Sequence, residues 1–143
     1  MPEFPRDLAQ LKKWFEEHGE PRLPGLLGIE VVTIEPGQCT LRFDIGVKHL
    51  ASNGYLHAAS VIALADTAAG YGCVASLPEG AVGFTTVELK SNHTANVTSG
   101  GLVAHASMQH GGRTIQVWDA VVRSEEEDRQ VCLFRNTQLI LYR

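Results

Sequence analysis

The spacing of apolar residues predicts a helix near the start of the chain. Residues 6–18 place apolar side chains at i, i+3, i+6 and i+7 among charged ones, a pattern typical of an amphipathic helix that ends near Gly19. Pro21 and Pro24 then predict a loop, so residues 1–24 are interpreted as an N-terminal helix and loop. The apolar positions of this helix are Leu8, Leu11, Trp14 and Phe15.

Alternating apolar and polar residues predict strands along much of the remaining chain. Residues 28–35 are rich in Ile and Val, and alternation over residues 41–47 follows a Pro36-Gly37 turn, so a hairpin with one buried face is expected. Four later segments repeat the alternation and are interpreted as strands: residues 82–89, 102–108, 115–122 and 131–142.

A small, apolar segment separates the hairpin from the later strands. Residues 57–76 contain good helix formers and a single charged side chain, Asp66, which predicts a central helix buried on most sides. Gly70 and Gly72 within it permit close packing of a sheet. The order of helix, two strands, helix and four strands excludes parallel βαβ units. We therefore expect an α+β fold in which residues 1–143 form one domain, with an antiparallel sheet curled around the central helix.

Composition and charge narrow the possible functions. The 143 residues include 12 Lys and Arg and 16 Asp and Glu, and the formal net charge of -4 leaves no basic surplus for a nucleic-acid backbone. No segment has the layout of a secretory signal or a membrane span, so we expect a cytoplasmic protein without a nucleic-acid or membrane partner. Cys39, Cys73 and Cys132 are far apart and lack metal-ligand spacing, which favours buried thiols over disulfides or a zinc site.

Asp66 and His57 are the first candidates for chemistry. A carboxyl group inside an apolar helix is usually paired, protonated or used, although Asp66 can also face solvent or bind a backbone group. His57 stands where the helix is expected to begin, either as a ligand contact or as a structural residue. The first free N–H groups of that helix, near Ala58 and Ala59, form a partial positive site that can polarise a carbonyl oxygen.

The spacing of Asp66 and His57 bears on how the protein assembles. Asp66 follows His57 by nine residues, which on a helix is half a turn out of phase and about 13 Å along the axis. One chain therefore cannot bring both residues into one site. If both serve the same site, a two-fold related subunit supplies one of them, so the catalytic hypothesis predicts a homodimer.

Other catalytic motifs are not indicated by the sequence. Ser60 lacks a Gly-x-Ser-x-Gly elbow, which argues against a serine hydrolase. His93, His105 and His110 are scattered over predicted strands and turns, so we expect no metal site.

Two segments of the chain carry a resemblance to a known family: Asn53-Gly54-Tyr55-Leu56-His57-Ala58-Ala59 and Ala63-Leu64-Ala65-Asp66-Thr67-Ala68. Together they resemble the hot-dog-fold acyl-CoA thioesterases of the phenylacetate-pathway (PaaI) type. The likeness covers most of the chain and extends to Leu27-Gly28-Ile29, Val87-Glu88-Leu89, Gly100-Gly101-Leu102 and Gly112-Arg113. It implies a sheet wrapped around the central helix, a homodimer with a homotetramer as the larger assembly, and hydrolysis of an acyl-CoA thioester at the dimer interface.

The resemblance also implies roles for individual residues. The acid at Asp66 would act as general base or nucleophile, and the N–H of Ala58 would polarise the thioester carbonyl. His57 and Asn53 would help to position the reacting groups. Thr86 lies where some relatives place a hydroxyl that orients water. No metal or redox cofactor is expected. Coenzyme A is counted as part of the substrate and not as a cofactor.

Further residues are expected to contact the substrate. Three of them are small or polar residues within the two motif segments. The other two are cations that are candidates for pairing with the phosphates of coenzyme A, where bidentate geometry favours the arginine over the lysine. In order, these are Gly54, Ala59, Thr67, Lys90 and Arg113.

The chain departs from the family pattern at two places. The family usually has His-Gly-Gly where this chain has His57-Ala58-Ala59, a change that keeps the backbone donor but narrows the space beside the thioester. It also usually has Asn or Gln six residues before the histidine, where this chain has Ala51. Either Asn53 takes over that role through a shifted loop, or the contact is absent.

Two other functions fit the same fold. A non-catalytic acyl-CoA-binding module would use Asp66 as a structural carboxylate, with the changes at Ala51 and Ala58 marking lost activity. An acyl-thioester dehydratase or hydratase would instead require a histidine and a carboxylate that act on the acyl chain. Thioester hydrolysis is the preferred hypothesis.

Overall fold

The computed structural model describes residues 3–143, in which one antiparallel sheet curls around one long helix. The helices are α1 (Leu8–Gly19), α2 (Leu23–Leu26) and α3 (Ala58–Ala75), and a 3-10 turn spans Val47–His49. The strands are β1 (Glu30–Glu35), β2 (Gln38–Asp44), β3 (Ala81–His93), β4 (Gly101–Gly111), β5 (Ile115–Ser124) and β6 (Gln130–Tyr142). The six strands are ordered β1-β2-β4-β5-β6-β3 and all neighbours are antiparallel, so the expected α+β architecture is confirmed.

The N-terminal helix α1 lies close to where the sequence predicts it. Asp7 caps its start, because the carboxylate Oδ1 accepts a hydrogen bond from the Gln10 N–H at 2.9 Å. Leu11 and Phe15 are buried, and the Phe15 ring stacks on Tyr71 of α3 with centroids 3.7 Å apart. Phe15 of the apolar stripe therefore packs against the central helix, whereas Leu8 at its start stays exposed.

Two local predictions between the helices are wrong. The predicted loop around Pro24 contains α2, because Pro24 lies in the first helical turn, where its missing N–H removes no hydrogen bond. The strand predicted to reach residue 47 ends at Asp44. Beyond it the Gly46 N–H donates to His49 Nδ1 at 2.9 Å, so a side chain replaces the ladder partner that a strand would need.

Strands β3 and β4 are longer than the alternation predicts. β3 continues through polar residues to His93, which pairs with Cys132 of β6. Ladder pairing defines a strand, so polar residues can extend it without an apolar pattern. As the last strand in the order, β3 is paired on one side and leaves its other side as a sheet edge.

Close packing of the sheet on α3 explains the two glycines of the central helix. A Cβ at Gly72 would stand 2.6 Å from the Trp118 ring of β5, and one at Gly70 would stand 3.0 Å from the Phe84 ring of β3. A Cβ at Gly72 would overlap the Trp118 ring, so this position needs glycine, whereas a Cβ at Gly70 would require the Phe84 ring to shift slightly. The sheet therefore packs closely on α3 at both glycines. Trp118 itself is fully buried.

The character of α3 is that of a core helix. By length and composition it is apolar enough to cross a membrane, but 56% of it is buried within the fold. The expected burial of Cys39, Cys73 and Cys132 is confirmed, and all three thiols are free.

Candidate active site

The first turn of α3 is tied to the 3-10 turn that precedes it. The His49 carbonyl accepts two hydrogen bonds, from the His57 N–H at 3.0 Å and from the Ser60 Oγ at 2.9 Å. His49 is itself fixed, because its ring is 1% exposed, stacks on Phe43 and bonds the Leu27 carbonyl through Nε2 at 2.7 Å. The helix N-terminus is therefore held in place from outside the helix.

His57 is the N-cap of α3. Its Nδ1 accepts a hydrogen bond from the Ala59 N–H at 2.9 Å, so this nitrogen acts as the capping acceptor. Its own carbonyl accepts from the N–H groups of Ser60 and Val61. His57 thus satisfies two of the amides that the start of a helix leaves free, those of Ala59 and Ser60, and accepts the first regular helical bond from Val61.

The amide of Ala58 is the one that remains. Within residues 3–143 no acceptor lies against the Ala58 N–H, and the residue is exposed. A free N–H at the positive end of a long helix is a suitable donor for a developing oxyanion. The local geometry is therefore compatible with the role expected for Ala58.

Asp66 lies on α3 opposite a buried amide of β6. The Asn136 Nδ2 donates a hydrogen bond to Asp66 Oδ1 at 3.0 Å. Asp66 is half-buried, and this burial raises the pKa of its carboxyl group while the Asn136 amide lowers it; burial is the larger effect. A carboxylate with a raised pKa is a stronger acceptor for a proton near neutral pH.

Thr86 is held in a similar way. Its Oγ1 donates a hydrogen bond to Gln138 Oε1 at 2.8 Å. The hydroxyl hydrogen is then engaged, so the oxygen is free to accept a hydrogen bond. The β3 ladder shifts register directly after Thr86, and such a bulge alters the direction of nearby side chains.

Asn136 and Gln138 were not among the residues expected from the sequence. They occupy alternate positions on the inner face of β6, and both side chains are 0% exposed. The available signal was two amide residues in inner positions of a strand whose neighbours there, Phe134 and Ile140, are apolar. His49 gave no such signal, because it does not interrupt an apolar pattern, and Ser60 was considered only as a catalytic serine.

Asn53 and Gly54 form a turn of their own before α3. Asn53 Oδ1 accepts from the Tyr55 N–H at 3.2 Å, and Asn53 makes no hydrogen bond to Asp66. Gly54 has φ +84°, a conformation that favours glycine. Ala59 and Thr67 stand beside Ala58 and Asp66 on α3, so all these positions remain on or next to the central helix.

The two candidate cations lie far apart. Lys90 on β3 lies beside Arg135 in the ladder between β3 and β6. Arg113 lies near Tyr142 of β6, because its carbonyl accepts a hydrogen bond from the Tyr142 hydroxyl at 2.7 Å. At about 3.3 Å per strand residue, these two positions along β6 are separated by roughly 20 Å. One chain therefore does not bring Lys90 and Arg113 together.

Asp66 and the N-terminus of α3 are likewise separate within one chain. The helix is continuous from Ala58–Ala75, so the separation of about 13 Å between His57 and Asp66 stands. Among residues 3–143 no three His, Cys, Asp or Glu side chains are grouped as metal ligands.

Comparison of the sequence with known proteins assigns the chain to one family. The model of the Thioesterase superfamily matches residues 53–131, more than half of the chain. The 1,4-dihydroxy-2-naphthoyl-CoA hydrolase of Listeria monocytogenes is 31% identical over 111 residues, which are 78% of this chain and 89% of that protein. The chain therefore belongs to the thioesterase superfamily.

Solved structures agree with this membership. A thioesterase from Haemophilus influenzae has a TM-score of 0.82 and 26% identity, over 95% of this chain and 91% of that one. A hypothetical thioesterase with coenzyme A from Streptococcus pneumoniae shares the fold, with a TM-score of 0.73 and 20% identity over 81% and 88% of the two chains. The chain has the hot-dog fold and is a thioester hydrolase, which confirms the resemblance seen in its sequence.

Proposed function

We propose that this protein hydrolyses acyl-CoA thioesters to the free acid and coenzyme A, at a site shared by two subunits of a homodimer. The observation that carries the proposal is the pair of groups on α3: a half-buried carboxylate at Asp66 and an unpartnered amide at Ala58. The first is suited to activate water and the second to stabilise an oxyanion. The name of the Listeria relative, a naphthoyl-CoA hydrolase, supports a CoA thioester as substrate.

The proposed reaction begins with a water molecule between Asp66 and Thr86. Because the Thr86 hydroxyl donates its hydrogen bond to Gln138, its oxygen accepts one hydrogen bond from the water, and Asp66 accepts the other. As the water oxygen bonds to the thioester carbon, its proton moves to Asp66. The Ala58 N–H stabilises the oxyanion; then the C–S bond breaks and the thiolate of coenzyme A takes the proton from Asp66. General base catalysis is thus favoured over attack by the carboxylate itself.

The exposed surface around this site supports the homodimer. The free edge strand β3 leaves Val87 54% and Leu89 40% exposed, and Tyr55 before α3 is 57% exposed. Apolar side chains grouped at an unpaired strand edge are typical of a surface covered by another chain. A two-fold partner at this edge would place one subunit's Asp66 near the helix N-terminus of the other. A homotetramer built from two such dimers is part of the proposal.

Coenzyme A would lie on the surface of the dimer. Lys90 and Arg113 are exposed and form no ion pair within the described residues, so both are open to phosphate. Because they are about 20 Å apart within one chain, each would serve a different part of the dimer surface. Gly54, Ala59, Thr67 and Asn53 would line the approach of the thioester.

The decisive measurement is release of free thiol from a panel of aryl- and alkyl-CoA thioesters. We expect turnover by the wild type and a loss of at least about 100-fold in kcat for Asp66→Asn and Asp66→Ala, the usual scale for a general base. Asp119→Asn is the matched control, because this carboxylate pairs with Arg135 on the outer face of the sheet. It is expected to keep wild-type activity.

Two outcomes with the same class of substrates contradict the proposal, and a third rejects its base. Binding of thioesters without turnover would indicate the acyl-CoA-binding module, and turnover of 2-enoyl thioesters without thiol release would indicate a hydratase. Thiol release that is unaffected by both Asp66 variants, with their oligomeric size unchanged in gel filtration, would reject Asp66 as the base.

A further inference from the structure

We infer that Asn136 positions the Asp66 carboxylate for catalysis. The amide that hydrogen-bonds this carboxylate then belongs to strand β6 of the sheet, and not to Asn53 in the loop before α3. The inference rests on the role proposed for Asp66 above. Asn136 would be a positioning residue, because it touches the carboxylate and not the substrate.

The contact itself is direct and rigid. Asn136 Nδ2 and Asp66 Oδ1 are 3.0 Å apart, and the Asn136 side chain is fully buried. In the sheet, Asn136 pairs with Trp118 of β5 on one side and with Leu89 of β3 on the other. A residue fixed by both neighbouring strands can hold one carboxylate oxygen in a single orientation.

No other amide side chain takes this place. Asn53, the alternative from the sequence, accepts a hydrogen bond within its own turn and is exposed. Within residues 3–143, Asn136 supplies the only side-chain hydrogen bond to Asp66. The uncharged amide occupies Oδ1 without competing for a proton, so Oδ2 is left to accept hydrogen from water.

Buried atoms without partners indicate that stability alone does not account for these amides. Asn136 Oδ1 and Gln138 Nε2 are buried and have no hydrogen-bond partner among the described residues. Such atoms are costly, and an apolar residue would continue the inner face of β6 without that cost. Local rules are broken in this way mainly at functional sites.

The second amide strengthens the inference by a parallel contact. Gln138 stands two residues beyond Asn136 on the same face of β6 and accepts the hydrogen bond from Thr86. β6 thus contacts both groups that are proposed to hold the water, one on α3 and one on β3. A single strand can therefore set their relative position.

The surroundings of Asp66 make its titration a sensitive readout. Within residues 3–143 the side chain that hydrogen-bonds Asp66 is the uncharged Asn136, and no ion pair involves Asp66. Only burial and the Asn136 amide alter the pKa of Asp66, and the amide lowers it. Loss of the amide should therefore raise this pKa further.

The test compares two substitutions that separate the hydrogen bond from the shape. Asn136→Leu removes the donor together with the unpartnered Asn136 Oδ1. Asn136→Asp keeps the shape but replaces the donor with an acceptor. We expect kcat at neutral pH to fall at least about tenfold in Asn136→Leu with KM little changed. Asn136→Asp should fall further, because two adjacent carboxylates compete for one proton.

The pH dependence provides a readout that a purely structural role would not move. In both variants the acidic limb of the kcat profile should shift to higher pH. The titration of Asp66, followed by carbon-13 NMR of the carboxyl group and assigned with Asp66→Asn, should shift the same way. Gln116→Met is the matched control: Gln116 is buried on β5 and bonds Trp118 and the Ser76 carbonyl, so its loss should lower Tm without moving the Asp66 titration.

An unchanged Asp66 titration in both Asn136 variants would overturn the inference, as would wild-type kcat in Asn136→Leu. The NMR measurement needs no turnover. If the wild type hydrolyses no thioester, the proposed function fails, while the titration still decides whether Asn136 controls Asp66.

Discussion

At the scale of single residues, Asp66 shows how a charged group is kept inside an apolar helix. Burial raises the pKa of its carboxyl group, so ionisation is less favourable than in the unfolded chain. The Asn136 amide offsets part of that effect through one hydrogen bond. The helix therefore carries a carboxyl group whose ionisation costs stability, and such a cost is common at catalytic sites.

This cost predicts the pH dependence of stability. Because the folded-state pKa of Asp66 is raised, its contribution to stability is complete below the unfolded-state pKa and is lost as the pH rises through the folded-state pKa. We expect Asp66→Asn, which keeps an oxygen for Asn136, to have a Tm at pH 7 at least as high as the wild type. The difference in Tm between Asp66→Asn and the wild type should shrink as the pH falls toward 3.8, the pKa of an ordinary aspartate.

Thermal unfolding followed by circular dichroism across this pH range checks the prediction. Asp119→Asn, which removes a surface ion pair with Arg135, should not reproduce it. A Tm for Asp66→Asn that is clearly lower at pH 7 would show that the ionised carboxylate stabilises the fold.

At the scale of elements, α3 depends on what holds its first turn. His57 caps the helix through Nδ1, and the His49 carbonyl binds the His57 amide and the Ser60 hydroxyl. Within the described residues 3–143, these contacts leave the Ala58 amide as the free donor of the turn. Helix α3 thus begins at a structural cap, His57, and presents the free Ala58 N–H beside it.

The capping role of His57 can be separated from a chemical one. His57→Ala removes the acceptor for the Ala59 N–H and should lower the free energy of unfolding by about 1 kcal/mol, whereas His57→Asn supplies a capping oxygen and should restore it. Urea unfolding of the three proteins measures the difference. If the Asn variant were as unstable as the Ala variant, capping would not explain the position.

At the scale of the whole molecule, the site proposed above requires a second subunit. Asp66 and the Ala58 amide belong to the same helix but lie on different turns and faces, and β3 leaves an apolar edge uncovered. An isologous dimer would form two equivalent sites, each with a carboxylate from one chain and an amide from the other. This arrangement predicts that defective chains can complement one another.

Ala58→Pro is the matching variant for the amide. Proline at the first helical position deletes only an N–H that has no intrahelical partner, and His57 before it is already extended, with φ -70° and ψ 130°. Alone, Ala58→Pro and Asp66→Asn should each be nearly inactive. Mixed and refolded together in equal amounts, they should recover about a quarter of wild-type activity, because half of the dimers then hold one intact site.

The control for this experiment is Ala58→Gly, which keeps the N–H and should stay active. The absence of any recovery in the mixture, with mixed dimers demonstrated by native mass spectrometry, would mean that each site is built within one chain.

Local patterning in the sequence determined the elements and their order. The spacing of apolar residues predicts α1, the first hairpin and α3, and the lack of helices between the last strands predicts an antiparallel sheet around α3. The single charge in an apolar helix also identifies Asp66, and the glycines of that helix predict close packing. These features depend on neighbours in sequence, so the sequence alone reveals them.

Only the tertiary structure decided which distant groups meet. Asp66 and Asn136 are 70 positions apart, and Thr86 and Gln138 are 52 apart, so their contacts depend on the register of β6 against β3 and on the way the sheet curls around α3. The end of β2 at Asp44 likewise depends on a His49 side chain that takes up a backbone amide. Periodicity predicts which face of an element is buried, but the partner of a polar group on that face is set by packing between elements.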